Sequence, residues 1–281
     1  MVAKHKPQAE HKPAFYQRWN LQHRLQHGTL AASMFGLIIS GLAIKFHTAA
    51  WAQAWFSMVG FHNNLILHKV SATLLVFVSF WHLAYMLYVW SKERSHPLSW
   101  AMMPKLSDAR DMYHHALYLL NIRKEPPQYD RYTYLEKFEY LSIFWGMVVM
   151  GLTGFSLWFP VQMGSFFSRE FLDMFRIIHG NEAVVACIAL LYGHFFTVHF
   201  NPAVFPSSTV WYNGKISLEH MMEEHPAEYQ RLVEKGQLPA FTGHLEHGLS
   251  PARKLLAFVE LIIYSAIFYW MLISYLPKAL A

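Results

Sequence analysis

Long apolar runs alternate with polar, charge-bearing connections along this chain. Five of the runs, roughly 28–46, 65–90, 138–159, 177–200 and 255–276, are long enough to cross a bilayer core, which takes about 20 helical residues. The connections carry weaker patterns. Pro104–Asn121 has the pattern of an amphipathic helix lying on the membrane surface, broken by Glu125-Pro126-Pro127 before the third run. Residues 216–236, rich in Glu and Lys and interrupted at His225-Pro226, predict short solvated helices. The expected fold class is all-α, an integral membrane bundle of five transmembrane helices. Residues 1–27 form an N-terminal segment, 28–254 a core with polar loops at 91–137 and 201–254, and 255–281 an additional C-terminal helix. No short apolar region with a small-residue cleavage site precedes the first run, so it is expected to stay as a span and not to be removed as a signal peptide.

The basic residues give the runs an orientation. Five Lys and Arg precede the first run, none lies in 47–64, and eight lie in 91–137. Only Arg169 and Arg176 separate the third run from the fourth, whereas 201–254 again carries five. Positive loops remain on the cytoplasmic side. The chain is therefore expected in a bacterial-type plasma (inner) membrane, with its N-terminus inside and its C-terminus outside. The same pattern accounts for the pI of about 9.1 without invoking nucleic acid.

Composition supports the membrane reading: 54% of residues are hydrophobic and only 15% charged. Ten Trp and fifteen Tyr suit the aromatic belts at the lipid–water interface. A single cysteine, Cys187, excludes an internal disulfide, a four-cysteine iron–sulfur site and a covalent Cys-x-x-Cys-His haem attachment.

Histidines inside and at the ends of the apolar runs carry the candidate chemistry. His68 and His82 are fourteen residues apart in the second run, His179 and His194 fifteen apart in the fourth, and His27 opens the first. Such spacings separate two side chains by roughly 21–22 Å along a helix and return them to within about 60° of one face. With spans two and four running the same way, His68 and His179 lie level near the outer face. His82 and His194 lie level near the inner face, where His27 also falls. Imidazole is a common axial ligand of haem iron, so two tiers of histidine point to a di-haem cytochrome of the b type. Spacing alone leaves two partners open for His194: His82, which places both haems between spans two and four, or His27, which draws on three helices. His199 lies five residues past His194, about 140° around an α-helix, and so off its face.

Other positions have weaker patterns. Arg24 and Arg176 each sit one turn before a histidine, either to pair with a haem propionate or to anchor a helix end; Lys69, next to His68, points elsewhere. Gly146, Gly151 and Gly154 in the third run permit close helix or macrocycle approach. Glu182 lies one turn after His179, and Glu260 near the inner boundary of the fifth run. The remaining histidines, including His114, His115, His225, His244 and His247, fall in polar loops, where Gly243-His-Leu-Glu-His247 reads as ordinary surface.

Arg24-Leu-Gln-His27, Ile66-Leu67-His68, Ile177-Ile178-His179, the second histidine late in span four, and Gly214-Lys-Ile-Ser217 with Glu224-His-Pro-Ala-Glu-Tyr229 occur in a characteristic order. Over roughly residues 15–235 the chain resembles the gamma, cytochrome b, subunits of respiratory formate dehydrogenases, thiosulfate reductases and hydrogenases. The resemblance implies a four-helix core with two haems b, the outer held by His68 and His179, the inner by His27 and His194. It also implies electron exchange with membrane quinone and with a partner redox subunit, whether an iron–sulfur protein or a multihaem cytochrome. The family's quinone site lies by the inner haem near the start of span three, where a Tyr-Asn pair is usual. This chain has Tyr132-Thr133 followed by Glu136-Lys137, which with His199 are the candidate quinone contacts. His82 and the fifth run depart from the family pattern; His82 is left to replace His27, to bind quinone or to serve a third haem. Two other classes compete: a membrane transporter moving a transition metal or protons through intramembrane histidines, and a haem-free membrane anchor.

Overall fold

The computed structural model describes residues 15–92, 101–201, 204–205 and 207–238, with scattered positions between 255 and 269. The segment Gly243–His247 and the side chain of Glu260 lie outside the described residues, as does much of the fifth run.

After a short strand β1 (Phe15–Gln17), Asn20 caps the first spanning helix, α1 (Leu21–Lys45), its side-chain oxygen accepting from the His23 N–H at 3.0 Å. This cap starts the helix about two turns ahead of the apolar run. A helix not evident from the sequence, α2 (Ala50–Val59), fills the connection at 47–64. It is pinned by Trp55, whose indole N–H donates at 2.8 Å to the fully buried Asn64, while Asn64 donates to the Ser40 carbonyl at 3.2 Å. Gly60, at φ +83°, turns the chain into α3 (Phe61–Lys92). The expected surface helix appears as α4 (Leu106–Leu119). The Thr133–Glu136 capping box then opens α5 (Tyr134–Trp158). A short turn α6 (Pro160–Met163) leads to α7 (Arg169–Ile188), which continues directly into a π-helical stretch, Ala189–Phe200.

Among the described residues, four helices are long and apolar enough to cross a membrane: α1, α3, α5, and α7 with its π-helical extension. In the bundle, α1 packs along α3, α5 packs along α7, and α1 crosses to α7. Small residues allow the α1–α3 approach: a Cβ on Gly36 would fall 2.2 Å from the Ser71 hydroxyl. A buried cluster of Leu42 and Phe46 against Val184, Cys187 and Leu191 joins α1 to α7.

The basic connections meet at one end of the bundle in a compact cap. After α8 (Val210–Asn213), strand β2 (Lys215–Ser217) pairs antiparallel with β1, Tyr16 opposite Ile216. Two helices follow, α9 (Leu218–Glu224) and α10 (Pro226–Glu234), divided at His225-Pro226 as the sequence suggests. They are not fully solvated, however: Ile216, Leu218, Met221 and Leu232 form a core of their own. Beside it, Glu228 is nearly inaccessible and bridges two buried arginines, accepting from Arg18 at 3.0 Å and Arg131 at 2.8 Å. Each arginine also donates to the other's backbone carbonyl. Both guanidinium groups lie over the Tyr132 ring. This knot ties the N-terminal strand, the entry to α5 and the tail helices together.

The knot makes a prediction. Removing one partner of a buried ion pair costs about 3–5 kcal/mol, so Glu228→Gln should expose the cap to protease while the helical content of the spans is retained. Acid should act in the same direction. Burial and the Arg18 charge hold His225 down at about 3 and His220 at about 4. Both therefore favour the neutral form in the folded cap, whose stability is full above pH about 6.5 and declines as pH falls toward these values, where unfolding takes up protons. Proteolysis rates at pH 7.5 and 5 measure this loss, which should shrink in His225→Asn.

Candidate functional site

Two pairs of histidines face each other across the bundle. His68 on α3 and His179 on α7 have ring centres 6.4 Å apart. His27 on α1 and His194 in the π-helical stretch have ring centres 6.1 Å apart. Two imidazoles ligating one metal from opposite sides through bonds of about 2.0–2.1 Å would have ring centres about 6 Å apart, so both pairs suit an iron held between them.

The neighbours of these rings make the fit more specific. The Ser40 hydroxyl donates its only proton to the Gly36 carbonyl at 2.5 Å, so toward His68 Nδ1, at 2.9 Å, it acts as acceptor. Thr153 does the same for His179: it donates to the Val149 carbonyl at 2.7 Å and accepts from Nδ1 at 3.0 Å. Glu139 accepts from His194 Nδ1 at 3.0 Å. In all three histidines the proton is thus fixed on Nδ1 and the lone pair on Nε2, the state in which an imidazole binds metal while a neighbour holds its other nitrogen. His27 Nδ1 is buried with no hydrogen-bond partner among the described residues.

Glycines set the rings close to the helices. A Cβ on Gly41 would lie 3.1 Å from the His68 ring, and one on Gly154 would lie 3.0 Å from that of His179. The same two-residue device, a hydroxyl followed by glycine, thus occurs on α1 as Ser40-Gly41 and on α5 as Thr153-Gly154. Of the other glycines in span three, Gly146 approaches Glu182, and Gly151 has open space before it.

The two partners that spacing leaves open for His194 occupy different positions. His27, not His82, faces His194. His82 has both ring nitrogens bonded, Nδ1 to Gln26 at 2.8 Å and Nε2 to the Tyr140 hydroxyl at 3.0 Å. The π-helical stretch explains how the fifteen-residue spacing works. An α-helix overshoots by about 60° over fifteen residues; π-helical turns close one residue later, rotate less per residue, and reduce the overshoot. They also void the 140° separation expected for His199, because residues five apart are neighbours in a π-helix. The His199 ring stacks on Phe195 at 4.4 Å.

Several other candidates have structural partners. Thr133 and Glu136 complete the cap of α5, the carboxylate accepting from the Thr133 N–H at 2.7 Å. Tyr132 belongs to the arginine knot. Lys137 is buried and pairs with Asp108 of α4 at 2.6 Å. Arg24 donates to the Tyr212 carbonyl at 2.8 Å and keeps a buried Nε with no hydrogen-bond partner among the described residues. Arg176 is largely exposed and pairs with Asp173 on its own helix at 3.1 Å. Lys69 lies over the Trp158 ring, and His115 bonds the Tyr134 hydroxyl at 2.9 Å.

Among the described residues no three His, Cys, Asp or Glu side chains gather as a site for a bare metal ion. Pairs suffice for haem, whose ring supplies the other ligands. The family model for prokaryotic cytochrome b561 matches residues 18–211, more than half of the chain and all four described spans. The chain belongs to the prokaryotic cytochrome b561 family. It is accordingly a multi-pass bacterial membrane protein, a b-type cytochrome of electron transfer from a family that binds haem b. The sequence matches none of the curated proteins compared with it. The match stops before the fifth apolar run.

Sequence reasoning alone does not single out Ser40, Thr153 or Glu139 in this cytochrome. The signal available for Ser40 was level: it is thirteen residues from His27, about 20 Å along α1, and so opposite His68. Removing a hydrogen-bond partner of a metal-ligating histidine typically lowers metal affinity 10–100-fold. Thr153→Val should therefore weaken retention of one haem, with Thr153→Ser restoring it, measured as haem per protein after dilution into detergent.

Proposed function

We propose that this cytochrome holds two haems b, one at each histidine tier, and carries electrons between membrane quinone and a partner redox protein. The support comes chiefly from two facing imidazole pairs at the spacing of a shared iron, three of the four rings holding the metal-binding tautomer. Haem b, when bound, supplies one-electron chemistry. His68 and His179 would hold one haem, and His27 and His194 the other. Ser40, Thr153 and Glu139 keep each Nε2 lone pair directed at the metal. Arg24, one turn before His27, offers a cation to an anionic haem edge; Arg176 is spent on Asp173 and serves as an interfacial charge.

The cap and the His27–His194 tier share the basic end of the bundle, which the positive-inside rule assigns to the cytoplasm. Quinone chemistry is assigned to that end. An apolar cavity of about 380 Å³ between α4 and α5, lined by Asp108, Met112, Tyr134, Lys137, Phe138 and Leu141 among others, has the size of a small-molecule site. The Lys137–Asp108 ion pair sits at the edge of an otherwise greasy wall, which suits a quinone ring with its tail in lipid. Glu136, committed to the helix cap, is left to structure. The opposite tier, with His68 and His179, faces the outer partner, an iron–sulfur subunit or a multihaem cytochrome.

A reduced-minus-oxidised spectrum with haem quantitation tests the assignment directly. Two haems b per chain are expected, and His68→Ala and His179→Ala should each lose the same one. His27→Ala should lose the other, whereas His82→Ala should keep both; loss of a haem in His82→Ala, with two retained in His27→Ala, would reverse the inner pairing. For quinone, Lys137→Met and Asp108→Asn should slow oxidation of the reduced haems by a naphthoquinone while leaving haem content intact. Unchanged kinetics in both would move the quinone away from this cavity.

A further inference from the structure

The two histidine tiers differ in the charge of the groups that hold their rings. His68 and His179 lean on the hydroxyls of Ser40 and Thr153, which are neutral. His194 leans on a carboxylate, Glu139 accepting from its Nδ1 at 3.0 Å. Glu139 lies five residues past the first residue of α5, about 7.5 Å along that helix, and its side chain is only 23% exposed. A Cβ on Gly193, the residue before His194, would lie 3.7 Å from one of its oxygens. The Thr197 hydroxyl, which donates to the His194 carbonyl at 2.9 Å, stands 3.4 Å from the same oxygen. The carboxylate is thus seated against the helical turn that carries His194.

The surroundings of Glu139 leave its charge to bear on that ring. A carboxylate within a span is costly unless something of opposite charge matches it. Among the described residues, the ion-pair partner of Glu139 is His194. The buried cations at this end of the bundle are committed elsewhere, Lys137 to Asp108, and Arg18 and Arg131 to Glu228. Glu136, one turn earlier, serves the helix cap through the Thr133 N–H. With Nδ1–H held by Glu139, a metal bound at Nε2 would lie roughly 6–7 Å from the negative charge. At an effective dielectric of about 20, a full charge at that range shifts the balance between two metal charge states by more than about tenfold. A hydroxyl offers the same hydrogen bond without the charge.

We propose that Glu139 is a positioning residue that, acting through His194, lowers the midpoint potential of the haem held by His27 and His194. The proposal rests on the two-haem reading above and deepens it. Reduction adds one electron to the iron and takes away one positive charge. The carboxylate stabilises the ferric state, which carries the extra positive charge, more than the ferrous state, and no bond or proton has to move. Ser40 and Thr153 exert no comparable pull on the His68–His179 tier, so a change of charge at residue 139 acts on one haem of the two.

The test uses the full-length, haem-loaded protein, poised across a range of potentials while the haem absorption bands are followed. His68→Ala, which keeps only the haem of the His27–His194 tier, assigns the two reduction waves. Glu139→Gln retains an acceptor for His194 Nδ1–H and removes the charge. It should raise the potential of the His27–His194 haem by about 59 mV or more, the equivalent of tenfold in a one-electron couple, and leave the other wave at its wild-type value. An unmoved wave for that haem, or equal movement of both waves, would overturn the proposal. Should Glu139→Gln be isolated without that haem, haem is added back in its ferric form and in its dithionite-reduced ferrous form. Ferric affinity should then fall about tenfold more than ferrous affinity, and equal losses would count against the proposal as directly as an unmoved wave. A wild type with no haem at this tier refutes the two-haem reading and the proposal with it, whereas two haems with unmoved potentials in Glu139→Gln remove the role of Glu139 alone.

Discussion

An imidazole inside a bilayer has two nitrogens and no water to satisfy them, and this constraint organises the bundle. A neutral ring needs an acceptor for its N–H, and leaving it bare carries the penalty of a buried unpaired donor. Ser40, Thr153 and Glu139 provide that acceptor for three facing histidines. Because each serine or threonine hydroxyl spends its own proton on a carbonyl one turn back, its role toward the histidine is settled before any cofactor arrives. The rings are thereby preorganised, each with one lone pair uncommitted. Helix placement follows from this: α1 must bring Ser40-Gly41 against His68, and α5 must bring Thr153-Gly154 against His179, each glycine giving the ring room that a Cβ would take.

The same reasoning separates the histidines by function. Of the histidines in the spanning helices, His27, His68, His82, His179 and His194 have the spacing of two tiers, which gives His82 the same standing as His27. Hydrogen bonding distinguishes them. A ligand keeps one nitrogen unbonded to protein, and His82 keeps neither. Its ring instead bonds Gln26 on α1 and Tyr140 on α5, so at residue 82 the departure from the family pattern ties three spanning helices together.

Much of the fold was legible because long apolar runs have one stable form in lipid, and the alternation of basic loops fixed which runs were antiparallel. The helices extend past the runs where a local cap starts them, at Asn20 and Thr133, which hydropathy does not register. What escaped depended on contacts between distant residues. α2 is held by Trp55 and Asn64, and the cap by Arg18, Arg131 and Glu228, residues that read as isolated charges or aromatics in the sequence. The tail helices looked solvated because Glu and Lys dominate their composition; Glu228 is buried only because two arginines reach it from about a hundred and two hundred positions away. The histidine tiers were visible as spacing, but their pairing was not. Helix arithmetic assumed 100° per residue throughout, and the π-helical stretch changes that value where His194 and His199 lie.

The two tiers are built differently, and the difference bears on their chemistry. His68 and His179 rest on neutral hydroxyls near a loop with no Lys or Arg. His194 rests on a carboxylate, which raises the basicity of the imidazole and favours the more highly charged state of a metal. The cap adds the opposite influence: Arg18 and Arg131 carry two positive charges against one on Glu228, so a net positive charge is buried at the same end of the bundle. Charges of opposite sign at one end let local substitutions move the His27–His194 tier in either direction while leaving the His68–His179 tier, held by neutral partners, nearly fixed. That independence of the two tiers follows from which side chains hold the imidazoles.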